Sequence, residues 1–286
     1  MSYASDKKFM ASFENQVQKV IKQYNLLTKD DKIIVACSGG KDSTTVLYLL
    51  KKIGYDVKGL FVDLKIKSYS NQNLENIKSF CKKHKIKLHV TTFEKEFGYS
   101  LCKIKSVLGY KYKLKSCSIC GVLRRYVLNK KTRELGATKI VTGHNIDDEA
   151  QTILMNILKG DIKLSLNFGP RTGLLDDKKF VPRIKPLYFC EESGIRRYSQ
   201  LMGFPVIYER CPCGYGSFRS DLRKFLNSLE SEYPGIKKKI VLSFMKKLPS
   251  IRSKYGKKSE LIYCQICGEP SRNNICSACE MIRKME

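Results

Sequence analysis

Residues 33–43 read IIVACSGGKDS, and residues 44–54 continue as TTVLYLLKKIG. The first five are apolar and mostly β-branched, the pattern of a short strand buried on both faces. From Ser43 onward the apolar positions recur at helical spacing, so the stretch predicts a strand over 33–37, a tight loop, and a helix over 43–54. Within the loop, Gly39 and Gly40 let main-chain amides approach an anion closely. Ser38 and Ser43 add hydroxyl donors, and the new helix turns its positive end toward the same point. A pyrophosphate fits such a cradle. The phosphate loop of kinases and GTPases would need glycine at position 35 and Ser or Thr at position 42, where this chain has Val35 and Asp42. An acidic residue beside Lys41 points to a different nucleotide chemistry.

Working outward, residues 8–28 carry apolar positions at helical spacing and predict a leading helix. Downstream, strands are expected at 57–63, 87–92 and 138–142, and helices at 71–84, from near Cys117 through Arg133, and at 147–159. A basic, irregular stretch is expected up to about residue 116. Residues 160–185 read as a long excursion, 190–203 as a helix, 205–209 as a short strand and 217–250 as a basic helical extension. Apolar strands separated by helices imply an α/β fold with a doubly wound parallel sheet, its ligand site at the carboxyl ends of the strands. The loop 38–43, Asp63 and Gly143-His144-Asn145 all fall on that edge. The expected partition is a helical segment over 1–30, a nucleotide domain over 31–216, the basic extension over 217–256 and a cysteine-rich unit over 257–286.

The 286 residues are 42% hydrophobic, ordinary for a globular chain, and carry 54 Lys and Arg against 27 Asp and Glu. The resulting charge of +27 favours a polyanionic partner, RNA first. Lysines at 103, 105, 111, 113 and 115, interleaved with Tyr110 and Tyr112, and Lys237-Lys238-Lys239 suit phosphates and unstacked bases. No apolar run reaches the roughly 20 residues of a membrane span, and the N-terminus lacks the apolar centre of a secretory signal. Both features place the protein in the cytoplasm. Twelve cysteines in that compartment point to metal or sulfur chemistry rather than disulfides. Cys37, Cys81, Cys102 and Cys190 are isolated and read as small core residues.

Cys264-x2-Cys267-x8-Cys276-x2-Cys279 has the spacing of a closed, tetrahedral structural zinc site, and metal binding would stabilise a tail too short to fold alone. Cys117-x2-Cys120 stands at an expected helix start, where the helix dipole favours thiolate. A redox disulfide, half of a zinc site and two ligands of an iron-sulfur cluster all suit it. Cys211 follows the expected strand 205–209 and can reach the same edge. Three thiolates on a four-iron cluster would leave one iron open to an exogenous sulfide, and Cys213 could add a fourth ligand. Gly143-His144-Asn145-Ile146-Asp147-Asp148-Glu149 places three carboxylates on a helix's first turn. Capping accounts for at least one, and Asp148 is placed to hold magnesium or orient a nucleotide.

SGGKDS after its strand resembles the signature of the PP-loop ATP pyrophosphatases, which cleave ATP between its α and β phosphates and pass AMP to a substrate oxygen. Further matches are CxxCGxxRRxxLN over Cys117–Asn129, GHNxDDEAQ over Gly143–Gln151, Cys211-Pro212, CxxCGEP from Cys264 and CxAC ending at Cys279. Together they resemble the TtcA/TtuA family of tRNA 2-thiouridine synthetases, archaeal and eukaryotic cytosolic type, over about residues 14–282. The resemblance implies a Rossmann-like PP-loop domain with helical extensions and a C-terminal zinc ribbon. It also implies adenylation of a uridine C2 oxygen followed by sulfur transfer, with ATP, Mg2+, a 4Fe-4S cluster on Cys117, Cys120 and Cys211, and Zn2+ on the tail cysteines. ATP would contact Ala36, Ser38, Gly39, Gly40, Lys41, Asp42, Ser43, Val62, Asp63, Gly143 and Asp148, with Ala36 and Val62-Asp63 meeting adenine and ribose. Asp42, Arg124 and Asp148 would join the three cysteines in catalysis. Implied partners are tRNA, a sulfur donor (sulfide or a thiocarboxylated carrier protein) and a second copy of the chain. The family usually opens with another zinc knuckle, whereas residues 1–13 contain no cysteine or histidine. A tRNA lysidine synthetase shares the loop but needs no such cysteines, and a non-catalytic zinc-ribbon RNA binder would leave the loop idle.

Overall fold

The computed structural model describes residues 3–172, 177, 179–256 and 262–285. A leading helix α1 (Tyr3–Gln23) precedes β1 (Ile33–Cys37), α2 (Lys41–Lys52), β2 (Val57–Asp63), α3 (Lys67–Lys83) and β3 (Leu88–Thr92). The basic stretch expected to be irregular is instead helical, as α4 (Phe93–Phe97) and α5 (Leu101–Tyr112). Its charge hid two caps: the Thr92 and Ser100 hydroxyls accept from the amides of Lys95 and Lys103, satisfying donors that would otherwise be orphaned at each helix start. Leu101, Ile104 and Leu108 form the buried stripe of α5.

The chain continues through α6 (Ser116–Glu134), β4 (Lys139–Val141), α7 (Ile146–Leu158), β5 (Arg171–Thr172), β6 (Arg183–Ile184) and α8 (Glu192–Leu201). The excursion over 160–185 therefore returns to the sheet. The strand expected at 205–209 contributes one bridge, Ile207 to Gly40. The basic extension is two helices, α9 (Phe218–Glu232) and α10 (Ile236–Tyr255), broken at Pro234 and at Gly235, whose φ of +83° suits glycine. The tail holds β7 (Ile262–Tyr263), β8 (Pro270–Ser271) and α11 (Ser277–Arg283). The proposed boundary at 256/257 adjoins residues outside those described.

Sheet order is β3-β2-β1-β4-β6-β5, parallel throughout except for the β5–β6 pair. Order reverses between β1 and β4, so the crevice of this doubly wound sheet opens where the loop after β1 meets the loop after β4. One core lies against α1, α2 and α8, with Val17, Val35, Leu47, Leu50 and Ile195 buried. A second lies under α5 and α6 and takes in Cys264, Cys276 and Ala278 of the tail. A third joins α7, α9 and α10. Each fully buried Leu, Ile or Val contributes roughly 1.5–3 kcal/mol of transfer free energy, which fixes the strands and hence the loops at their ends.

Candidate active site

The loop after β1 is held by its own serines. The Ser38 amide donates to Ser43 Oγ (3.1 Å), Ser43 Oγ donates to the Gly40 carbonyl (3.1 Å), and the Gly40 amide donates to Ser38 Oγ (3.3 Å). Gly39 adopts φ +78°, and a Cβ there would lie 2.6 Å from Asn73 of α3, so both conformation and space demand glycine. Gly143 is required for a different reason: a Cβ would sit 2.7 Å from the Asp42 carbonyl carbon, and its absence lets the loop after β4 close on the start of α2. Ala36, Val62 and Asp63 line the adjoining strand ends. Asp63 is buried and accepts the Lys65 amide at 2.8 Å, which shapes the turn after β2.

Charge is concentrated where the two loops meet. Lys41 Nζ contacts Asp42 at 3.1 Å and Glu192 of α8 at 2.8 Å, and Glu192 also pairs with Arg223 of α9. Burial alone would lower the Lys41 ammonium, but Asp42 and Glu192 outweigh it and hold it above its ordinary value. Asp42 goes the other way: burial raises its carboxyl, and the nearby Asp148 and Glu192 charges reinforce the rise against Lys41. Asn145 ties the carboxylates together. Its Nδ2 donates to Asp42 Oδ1 (3.2 Å), while its Oδ1 accepts the Asp148 amide and its own amide donates to Asp148 Oδ2, a capping box at the start of α7. Burial also pushes Asp148 up, with Arg219 opposing. The capping reading of Asp148 is therefore met, and the same carboxylate lies near Asp42 at the crevice. Asp147 instead accepts the Glu192 amide (2.8 Å) and Lys237 Nζ, locking α7 to α8 and α10. Glu149 pairs with Lys185 at 2.7 Å.

Cys117 and Cys120 occupy the first turns of α6, and Cys211 and Cys213 approach from the turn before α9. Cys117 Sγ lies 3.4 Å from the Cys213 carbonyl, and burial, then contact with Cys213 and Cys120, raises the Cys211 thiol. Arg124 Nη2 donates to Cys120 Sγ at 3.2 Å. Burial works against the Lys105 ammonium, yet Cys213, with Cys102 and Cys120 beyond it, holds it above its ordinary value. Cys102 is thus exposed beside the cysteine group and is not the core residue its isolation suggested. Cys37, Cys81 and Cys190 are buried as expected.

Residues 10–209 match the family model of the PP-loop domain. The chain belongs to the PP-loop family. Among its relatives, it is 36% identical to the tRNA-5-methyluridine(54) 2-sulfurtransferase of Pyrococcus horikoshii, over 97% of this chain and 87% of that protein. It is 32% identical to cytoplasmic tRNA 2-thiolation protein 1 of Drosophila melanogaster, over 96% of this chain and 80% of that one. Its fold is similar to the U34-tRNA thiolase NcsA from Methanococcus maripaludis, a structure with its [4Fe-4S] cluster, at TM-score 0.81 and 27% identity over 97% of this chain and 88% of that chain. SGGKDS at 38–43 lies within the matched residues, on the crevice described above.

A second constellation lies in the tail. The Sγ atoms of Cys264, Cys267, Cys276 and Cys279 all lie within 4.8 Å of one another, those of Cys267 and Cys276 3.8 Å apart. The amides of Cys276 and Cys279 donate to Cys264 and Cys276 sulfurs at 3.3 and 3.4 Å. Four sulfurs on two knuckles, with amides aimed at them, fit a tetrahedral thiolate metal site.

Several residues of this PP-loop crevice gave no sequence signal. Glu192, Arg223, Arg183, Lys185 and Arg219 come from segments without a motif, and only folding brings them to the edge. Asn73 is an ordinary helix residue until Gly39 packs against it.

Proposed function

We propose that this protein is an ATP-dependent tRNA 2-thiouridine synthetase acting in the cytoplasm, in line with its thiolation relatives. What supports the reading is that the segment leading to Cys211 bridges the loop, Ile207 to Gly40, while Cys211 lies near Cys120, to whose sulfur Arg124 donates. A rival lysidine synthetase or non-catalytic ribbon leaves that cysteine group without a task.

ATP would place adenine and ribose along Ala36 and Val62-Asp63 and its β and γ phosphates in the 38–43 loop. A uridine C2 oxygen attacks the α phosphorus, the bond to pyrophosphate breaks, and the loop amides, Ser38, Ser43 and Lys41 stabilise the departing anion. Asp42 and Asp148, two carboxylates whose burial and mutual repulsion disfavour charge, fit Mg2+, which would relieve that repulsion. Cys117, Cys120 and Cys211 would hold a 4Fe-4S cluster, which when bound supplies an open iron site for sulfur. Arg124 and Lys105 balance thiolate charge there. Sulfur attacks C2, the C–O bond breaks, and AMP departs, with the neighbouring groups supplying orientation. The tail cysteines would hold structural Zn2+. Sulfide or a thiocarboxylated carrier protein is the donor, and a homodimer is the working assembly.

The deciding experiment is mass spectrometry of nucleosides from tRNA incubated anaerobically with protein, ATP and sulfide. A thiouridine with stoichiometric AMP is expected, and AMP formation without thiolation would overturn the reading.

A further inference from the structure

His144, at the carboxyl end of β4, is bonded to Thr142 Oγ1 through Nδ1 (2.8 Å) and stands open at the mouth of the crevice. Around it gather Lys185, Arg219, Arg183 and Arg124, with Arg125 beside Arg183. Lys185 is paired with Glu149, and Arg124 donates to Cys120 Sγ. Arg219 donates to Thr152 Oγ1 (2.8 Å) and faces Asp148 without bonding it. Arg183 reaches the Arg125 carbonyl with Nη2 (3.1 Å), while its buried Nε has no partner among the described residues. Among the described residues, no carboxylate bonds Arg125 or Arg183. Arg125 is exposed and Arg183 and Arg219 are half-buried, and like charges held side by side around a buried, unmade donor favour an anion that joins them.

We propose that Arg125, Arg183 and Arg219 form a phosphate-binding site for the RNA backbone beside the target uridine, resting on the thiolation reading above. ATP is a less suitable source of the phosphate because the 38–43 loop, one strand away after β1, already serves its phosphates. Arg183 stands on β6 beside β4, Arg125 on α6 five residues after Cys120, and Arg219 on α9, so the three lie between the sheet edge and the cysteine group. A nucleotide whose base reaches between loop and cysteines carries a phosphate within one residue of it. The guanidinium fork suits such an oxyanion, and the contact fixes the base's register without reading its sequence.

The test uses Arg183→Gln and, as a variant on a different element, Arg219→Gln, each compared with wild type for tRNA affinity at several salt concentrations, ATP affinity and iron content. We expect tRNA binding to weaken about tenfold and the slope of log affinity against log salt to fall by about 1, with ATP affinity and iron unchanged. ATP affinity falling alone would assign the phosphate to the nucleotide. Iron loss alone would make the cluster a counter-charge for the cysteine group. Unchanged tRNA affinity in both variants would also overturn the site, and if both still thiolate normally the synthetase reading survives its loss. Wild-type protein that bound no tRNA would sink both.

Discussion

Lys41 shows how one side chain serves both fold and chemistry. It sits between Asp42 and Glu192, and Arg223 holds Glu192 from the far side, so Lys41 can move toward phosphate without stranding a buried carboxylate. Lys41→Ala should reduce AMP formation by about 10²–10³-fold, the scale of losing one preorganised charge at a developing anion. Its tRNA affinity should stay within about twofold, since distributed cations hold the polyanion; AMP release and filter binding measure the two. His144 carries a pH signature. Loss of water within the crevice, then the cations Lys185, Arg219, Arg183 and Arg124, push its pKa below the ordinary 6.5, although the open mouth tempers the first cause. A depressed folded value means that the neutral ring's contribution is present above 6.5 and is lost as pH falls from there toward the folded value. His144→Gln should therefore lose less thermal stability than wild type between neutral pH and mild acid, as read from melting curves of the free protein.

Helix α6 joins the two cysteine centres. Its first turns present Cys117 and Cys120, and its last turns hold the tail: Asn129 Nδ2 and Arg133 Nη1 donate to Glu269 Oε2 at 3.1 and 2.9 Å. Glu269 is 5% exposed and stands in the knuckle between Cys267 and Pro270. Spacing alone made residues 257–286 a separate cysteine-rich unit. The structure places Cys264, Cys276 and Ala278 in one apolar cluster with Ile119 and Leu123 of α6. Chelating the tail metal should therefore loosen α6 as well as the ribbon. Glu269→Ala removes the carboxylate that Asn129 and Arg133 share, leaving each the Lys179 carbonyl, and should cost about 1–2 kcal/mol in urea unfolding. It should also speed iron loss from anaerobic protein, whereas a ribbon independent of α6 would leave iron retention unchanged.

At the scale of the whole molecule, the chemistry is divided between two sets of elements. The PP-loop belongs to β1 and α2, and the cysteine group to α6 and the turn before α9. Cys117→Ala should abolish iron binding and thiolation while ATP affinity persists, as anaerobic absorbance, iron counting and nucleotide titration would show. Retention of full iron and full activity would remove Cys117 from the ligand set. With a net charge of +27, tRNA binding by the intact protein should weaken steeply with salt, and a salt-independent dissociation constant would contradict an RNA substrate.

By itself the sequence determined whatever depends on neighbours along the chain. The strand-loop-helix at 33–54, the capping run at Asn145–Asp148 and the tail knuckles are legible because short-range backbone geometry and ligand spacing carry them. Helices α4 and α5 were missed because exposed lysines obscured a narrow apolar stripe and two hydroxyl caps. Only the tertiary structure decided that Glu192 steadies Lys41, that Lys185, Arg183 and Arg219 converge on His144, and that Glu269 fastens the tail to α6. These groups lie tens to more than a hundred residues apart and bear no local pattern. Their meeting follows from the strand order β1-β4-β6 and from apolar burial, which set element positions before any of these charges can find its partner.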